Sequence, residues 1–181
     1  MDITHALSRI HSSQSQFHSR ADASATMFKE RQLWTAADLA PWDDTANATW
    51  YQTSVLGPAE ALIRADTSGA YLLTDRSTLL RQTELGNLHD CTSYFEPVSA
   101  DDVLMNNCHA LYSTSADQTT RGEVEAFLKY LQSDRGQDVV ATYGTKTVGL
   151  SLFAPVRDGY ATTSIVGGRP SGKTWISGNA I

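Results

Sequence analysis

The sequence predicts an α/β fold, and three observations carry that prediction. Apolar residues recur at helical spacing in several separated stretches. Short runs of strand length precede two of those stretches, and small, hydroxyl-bearing or acidic residues of the kind that cap helices stand at the junctions. The order strand, small-residue loop, helix therefore occurs twice, first from "QFHSR" through "ADASAT" and again from "AYLLT" through Asp75. Each such unit delivers backbone N–H donors to a helix start.

Taken in order, residues 3–13 put Ile3, Ala6, Leu7 and Ile10 on one helical face. "QFHSR" reads as a short strand and "ADASAT" as a loop. "MFKERQLWTAADLA" then reads as a helix burying Phe28, Leu33, Trp34 and Ala37 and stopping at Pro41. Residues 41–54 are turn-rich and aromatic. Pro58 suits a first helical position, Ala61, Leu62 and Ala65 form a face, and Gly69 supplies the left-handed stop. After the strand "AYLLT", Asp75 caps the helix "RSTLLRQTE". "CTSYFEPV" (91–98) and "VLMNNCHALYS" (103–113) read as strands. Thr120-x-x-Glu123 has capping-box spacing and opens a helix carrying Val124, Phe127, Leu128 and Leu131. A second helix runs from Asp134 to Gly144, "SLFAPV" (151–156) reads as an edge strand, and residues 157–181 read as a loosely ordered tail.

Composition narrows the function. The chain has 181 residues, 41% of them hydrophobic and 19% charged, enough for one sizeable domain or two small lobes. A net charge of −6 without a Lys/Arg cluster argues against nucleic acid or an anionic membrane surface as partner. A small anion remains compatible, because amide dipoles and one guanidinium suffice to hold it. No stretch has the length needed to span a bilayer, and the N-terminus lacks the pattern of a secretory signal, so the chain as given reads as soluble and cytoplasmic. Two cysteines, Cys91 and Cys108, fit a reducing compartment but also permit one bridge. Asn47-Ala48-Thr49 is a glycosylation sequon that has meaning only in a secreted chain.

Four patterns bear on chemistry. Gly167 to Thr174 spells the phosphate-loop pattern G-x-x-x-x-G-K-T, with Lys173 in the phosphate-reading place. Only "WISGNAI" follows, too short and too poor in helix formers to supply the helix that the motif requires, so nucleotide binding is not expected. His89-Asp90-Cys91 and Cys108-His109 lack the usual spacing of zinc ligands, and no metal or other cofactor is expected. No nucleophile elbow or paired base is present, so the chain reads as non-enzymatic. The fourth pattern joins "SRADASAT" to "YLLTDRST". Each half sets hydroxyls, one arginine and free N–H donors at a helix start, which makes Arg20, Ser19, Ser24, Thr26, Thr74 and Arg76 the candidate anion ligands. Helix capping by the same residue types would give the same letters.

"FHSRADASATMFKERQLW", "GPAEALIRADTSGAYLLTDRSTLL", "VEAFLKYLQSDRGQDVVATYG" and "LFAPV", in that order, resemble the tungstate-binding proteins of ABC transporters, within the type 2 periplasmic-binding-protein-like superfamily. The resemblance covers about residue 5 to residue 156, and "GAYLLTDR" is its most specific piece. It implies a Venus-flytrap fold in which a tetrahedral oxyanion such as tungstate or molybdate sits in an interlobe cleft. Residues 1–14 would be the leading helix of the first lobe, 15–100 a nearly complete second lobe, 101–156 a return to a partial first lobe, and 157–181 a tail. The family loop reads S-R-G-D-x-S-G-T, which carries an anion-facing role to Arg20 and, more weakly, to Ser19, Ser24 and Thr26. Ala21 and Ala25 stand where the family has glycines, and Pro58 removes one N–H donor at the next helix. The family's opening strand and Thr/Ser-rich loop have no counterpart here. An incomplete first lobe would expose an apolar face and a sheet edge, which implies a homo-oligomer or a covering partner. The alternative reading is a degenerate lobe kept as a self-associating or partner-binding module without ligand.

Overall fold

A computed structural model describes residues 2–43, 49–166 and 169–177. The chain divides into two compact units. One runs to Glu96, the other from Pro97 to Thr162, and portions of the C-terminal strands are assigned to each.

In the first unit, helix α1 (Ile3–Ser13) starts where the Asp2 carboxylate accepts the His5 amide at 2.8 Å, and it stops at Gln14 in the left-handed region at φ 52. Leu7 is its buried residue, and the helix packs on α2 (Ala25–Ala36). Strand β1 (Phe17–Ser19) is buried at all three positions and pairs in parallel with β2 (Tyr51–Thr53), Phe17 opposite Tyr51 and Ser19 opposite Thr53. On its other side the His18 amide donates to the Tyr71 carbonyl at 2.7 Å, and the Tyr71 amide donates to the Gln16 carbonyl at 2.8 Å, again in parallel. β1 is thus the middle of three parallel segments, which is why it is buried on both faces. The expected strand 70–74 is reduced to this single bridge at Tyr71.

Trp34, fully buried, organises the core of this unit. Phe17 lies edge-on to it at 5.2 Å, Trp50 at 5.9 Å and Tyr51 at 6.2 Å. Helix α3 (Pro58–Ser68) buries Ala61, Leu62 and Ala65 as their spacing predicts, and Gly69 ends it at φ 66. Helix α4 (Arg76–Glu84) packs against α3 and contributes Leu79 and Leu80.

The second unit is built mainly of helices: α5 (Gln118–Gln132), α6 (Asp134–Thr142), the single turn α7 (Thr145–Val148) and a 3-10 turn (Val156–Asp158). The α5–α6 corner is tight. Gly136 is buried there, and a Cβ on it would stand 2.1 Å from the Tyr130 carbonyl oxygen. Polar clips hold the end of α6: the Ser151 hydroxyl donates to the Ala141 carbonyl at 2.5 Å, and the Leu152 amide to Tyr143 at 2.9 Å.

Several expectations are corrected. Residues 91–98 and 103–113 form neither strand. A strand needs a partner for its amides and carbonyls, and side chains supply some of those partners here. Asp66 accepts the His89 and Asp90 amides just before the first run, and Asp102 accepts those of Val98 and Leu104. Residues 151–156 are not an edge strand, because the Ser151 and Leu152 bonds tie them to the end of α6 instead. Within the described part of the tail, β3 (Gly159–Val166) and β4 (Arg169–Ser177) form a second two-stranded sheet. At α5 the N-cap is Asp117 rather than Thr120, since its carboxylate is the acceptor for the Thr120 amide at 2.8 Å. Helix α6 is capped by Ser133. Helix α2 begins two residues earlier than expected, at Ala25, and ends at Ala36, where Asp38 turns left-handed at φ 55.

Candidate functional site

Three parallel segments share one direction, so the chain leaves all three at the same edge of the sheet. From β1 it enters the 20–24 loop and α2, from β2 it passes through Ser54 to α3, and from Tyr71 it runs through Thr74 and Asp75 to α4. Carboxyl ends of parallel strands followed by helix starts form the usual ligand edge of an α/β sheet, because they gather unsatisfied N–H groups there.

The loop after β1 is drawn together by Asp22. Its carboxylate pairs with the Arg20 guanidinium, accepts the Ser24 hydroxyl at 2.5 Å and accepts the Ser24 amide at 3.1 Å. Burial works against the Asp22 charge, but the bonds from Ser24 and the Arg20 charge outweigh it and hold its carboxyl below the ordinary range. The Arg20 side chain is 11% exposed, and its Nε is buried without a hydrogen-bond partner. Ser24 caps α2 by accepting the Met27 amide at 3.3 Å.

Ala21 sits at φ 51, in the left-handed region that glycine occupies without cost. An alanine held there stores about 1–2 kcal/mol of strain. Ala25 is the first residue of α2 and exposed, a place where glycine is not required.

At α4, Asp75 plays the capping part. It accepts the Ser77 hydroxyl at 2.5 Å, the Thr78 amide at 2.9 Å and the Thr78 hydroxyl at 2.8 Å. Burial would raise its carboxyl, yet these bonds win and keep it low. Arg76 is half-buried; desolvation lowers its pKa, and the charge of Glu96 offsets part of that. Gly57 caps α3 with no side chain of its own, and the Glu60 carboxylate accepts its amide at 3.4 Å.

Of the predicted ligands, Arg20 and Ser24 are joined directly through Asp22. Thr26 lies in the first turn of α2. Ser19 is fully buried, its hydroxyl 3.3 Å from the Met27 sulfur. Thr74 and Arg76 flank Asp75 at the start of α4, on a separate loop of the same edge.

Below that edge lie residues that the sequence reading passed over. His18 is buried with Nε2 3.0 Å from the Ser54 hydroxyl, and burial, helped by the nearby Arg64 charge, favours its neutral form. Glu30 is buried on the inner face of α2 and accepts the Tyr51 hydroxyl at 2.8 Å. Glu30 stands three residues from Met27 and from Leu33, so it shares their face. Phe28, expected inside, is instead 67% exposed.

The remaining motifs gather no site. Cys91 and Cys108 are free thiols, and among the described residues no group of three potential metal ligands comes together. Burial, with the nearby Asp66 charge, pushes the Cys91 thiol up. Gly172, Lys173 and Thr174 lie inside strand β4 rather than at a helix start, while Gly167 and Gly168 lie outside the described residues, as do Asn47 and Ala48 of the sequon.

The mixed helix and sheet architecture is consistent with a periplasmic-binding-protein-like fold, and comparison with known proteins supports that class. A crystal structure of a periplasmic protein assigned as metal-binding superposes with a TM-score of 0.68 at 28% identity, covering 86% of this chain and 77% of that one. The tungstate-binding protein TupA of Peptoclostridium acidaminophilum is 28% identical over 158 residues, 85% of this chain and 51% of its own length. A Haloferax volcanii protein assigned as an ABC transporter anion-binding protein is 29% identical over 142 residues, 77% of this chain and 39% of its own. No family model matches. The resemblance to the tungstate-binding proteins of ABC transporters holds, and the chain is a relative of that family. It spans about half the length, or less, of the curated relatives it matches. Those relatives are binding proteins and not enzymes, in keeping with the non-enzymatic reading.

One expectation is overturned here. The cytoplasmic placement conflicts with a periplasmic structural neighbour and with curated relatives that are a tungstate-binding protein and an ABC transporter anion-binding protein. Among the described residues no helix is long and apolar enough to cross a membrane.

Proposed function

We propose that this chain is a solute-binding domain working outside the cytoplasmic membrane, and that the edge bearing Arg20 forms one wall of a site for a small tetrahedral oxyanion of the tungstate or molybdate kind. The observation that carries this reading is the engagement of Asp22. A carboxylate there takes a guanidinium, a hydroxyl and a helix-start amide together, the donor set that an oxyanion requires. Asp22 holds these donors in place, and an incoming dianion competes for them with twice the charge. The buried, unpartnered Nε of Arg20 adds a donor that Asp22 leaves unused. Ser24 and Thr26 would bind at the same helix start, Thr74 and Arg76 from the neighbouring loop, and Ser19 would support the loop from beneath.

The test is thermal denaturation with millimolar tungstate, molybdate, sulfate or phosphate. A ligand at about one hundred times its Kd stabilises by about 2.7 kcal/mol, which moves Tm by several degrees. Wild type is expected to show that shift with at least one oxyanion, and Arg20→Ala to lose most of it. No shift in either protein would defeat the reading. It would leave the ligand-free interaction module, which is favoured by the apolar surface on the second unit, where Leu111 is 92% and Phe127 58% exposed.

A further inference from the structure

Glu30 is a carboxylic acid in a place where a charge is costly. It is 3% exposed, on the inner face of α2 with Met27, Leu33 and Trp34. Four groups on the elements around it bear on its charge: the Tyr51 hydroxyl of β2, donating at 2.8 Å, the Ser19 hydroxyl of β1, Arg31 of α2 and Asp22 of the loop. Ser19 is the residue immediately before Arg20, and Asp22 is the carboxylate bonded to Arg20. The acid therefore stands one turn along α2 from Met27, whose sulfur lies 3.3 Å from the Ser19 hydroxyl, and it shares one electrostatic neighbour, Asp22, with Arg20.

We infer that Glu30 is a proton-linked positioning residue, whose carboxyl takes up a proton from solvent when an oxyanion settles on Arg20. The inference rests on the oxyanion reading above and adds a regulation to it. Negative charge at Asp22 already disfavours the Glu30 carboxylate, and a dianion brought to the same arginine adds more charge of that sign. Burial sets the balance near neutrality, raising the Glu30 carboxyl to about 7 even though Tyr51, Ser19 and Arg31 pull it down. A proton taken up on binding means, by reciprocity, that the anion binds more tightly where the proton is abundant. The protonated acid also stops drawing on the Ser19 hydroxyl as a charged acceptor.

Tungstate is the probe. Wild-type affinity should weaken about tenfold, relative to Glu30→Gln, from about pH 6 to about pH 8.5, since one unit of pKa displacement is a tenfold change in affinity. Taking the ratio to the variant removes any titration of the oxyanion itself. Calorimetry at about pH 8 in buffers of different protonation enthalpy should register proton uptake with wild type and none with Glu30→Gln.

A second readout uses no ligand. Because the folded carboxyl lies above its ordinary value of 4.5, its stabilising contribution is complete below that value and is lost as pH rises through about 7. The unliganded wild type should thus lose Tm relative to Glu30→Gln across that window. Parallel unliganded curves, or equal pH slopes of tungstate affinity in the two proteins, overturn the inference and leave the oxyanion reading standing. A divergence of the unliganded curves with no tungstate effect in either protein overturns the inference, and the oxyanion reading falls with it only if molybdate, sulfate and phosphate also leave Tm unmoved. Should Glu30→Gln not fold, Tyr51→Phe removes the donor to the carboxylate and must move the wild-type midpoint to higher pH; an unmoved midpoint refutes the proposal.

Discussion

The two units of this molecule are held together by different physics. The first buries large side chains around a parallel strand centre: Phe17, Trp34, Trp50, Tyr51, Leu33, Leu62 and Leu80 are all at or below 8% exposure. The second has three helices, and none of the fifteen residues of α5 is buried. Its order comes from close backbone approach at Gly136 and from hydroxyl and amide clips at Ser133, Gln137 and Ser151. Apolar burial scales with the area removed from water, whereas clips contribute about 1 kcal/mol each. The first unit is accordingly the one able to hold a strained, pre-formed loop.

Three substitutions can break or sharpen that contrast. Trp34→Ala should cost the most, about 3–5 kcal/mol by chemical denaturation, because it empties the centre of the aromatic cluster. Amide exchange should quicken chiefly in β1, β2 and α3. In the second unit Gly136→Ala should cost about 1–3 kcal/mol, since its Cβ meets backbone that only a shift of α5 against α6 can clear. A loss larger than that of Trp34→Ala would show that the second unit carries more of the stability than its burial suggests. The smallest effect expected is a gain: Ala21→Gly should stabilise by about 1 kcal/mol, less the entropy of the added glycine, by releasing the left-handed strain at φ 51. No gain in the denaturation midpoint would mean that the loop relaxes differently from its crowded form.

Much of the first unit was legible before any coordinates. Ala61, Leu62 and Ala65 announce a buried helical face, Gly69 its end, and Asp75 the next start, since each depends on contacts within a few residues. The loop residues Arg20 and Ser24 could be named for the same reason. Asp22 could not be singled out, because its carboxylate was one of several cap-type groups until the fold turned it toward Arg20. Glu30 was hidden by its type: a charged residue on an apolar face reads as an interruption until Tyr51, from twenty-one residues away, supplies its partner. The runs 91–98 and 103–113 failed as strands for the complementary reason, as strand identity resides in a neighbour that no local pattern reveals.

What the sequence determined alone, then, was local and periodic: helix faces, caps, the glycine stop and the class of chain, all set by interactions spanning one or two turns. Tertiary structure decided which acid is buried, which carboxylate holds the arginine, and which apolar runs find a sheet. Those outcomes turn on desolvation and on partners distant in the chain, and both exist only once the backbone has closed on itself.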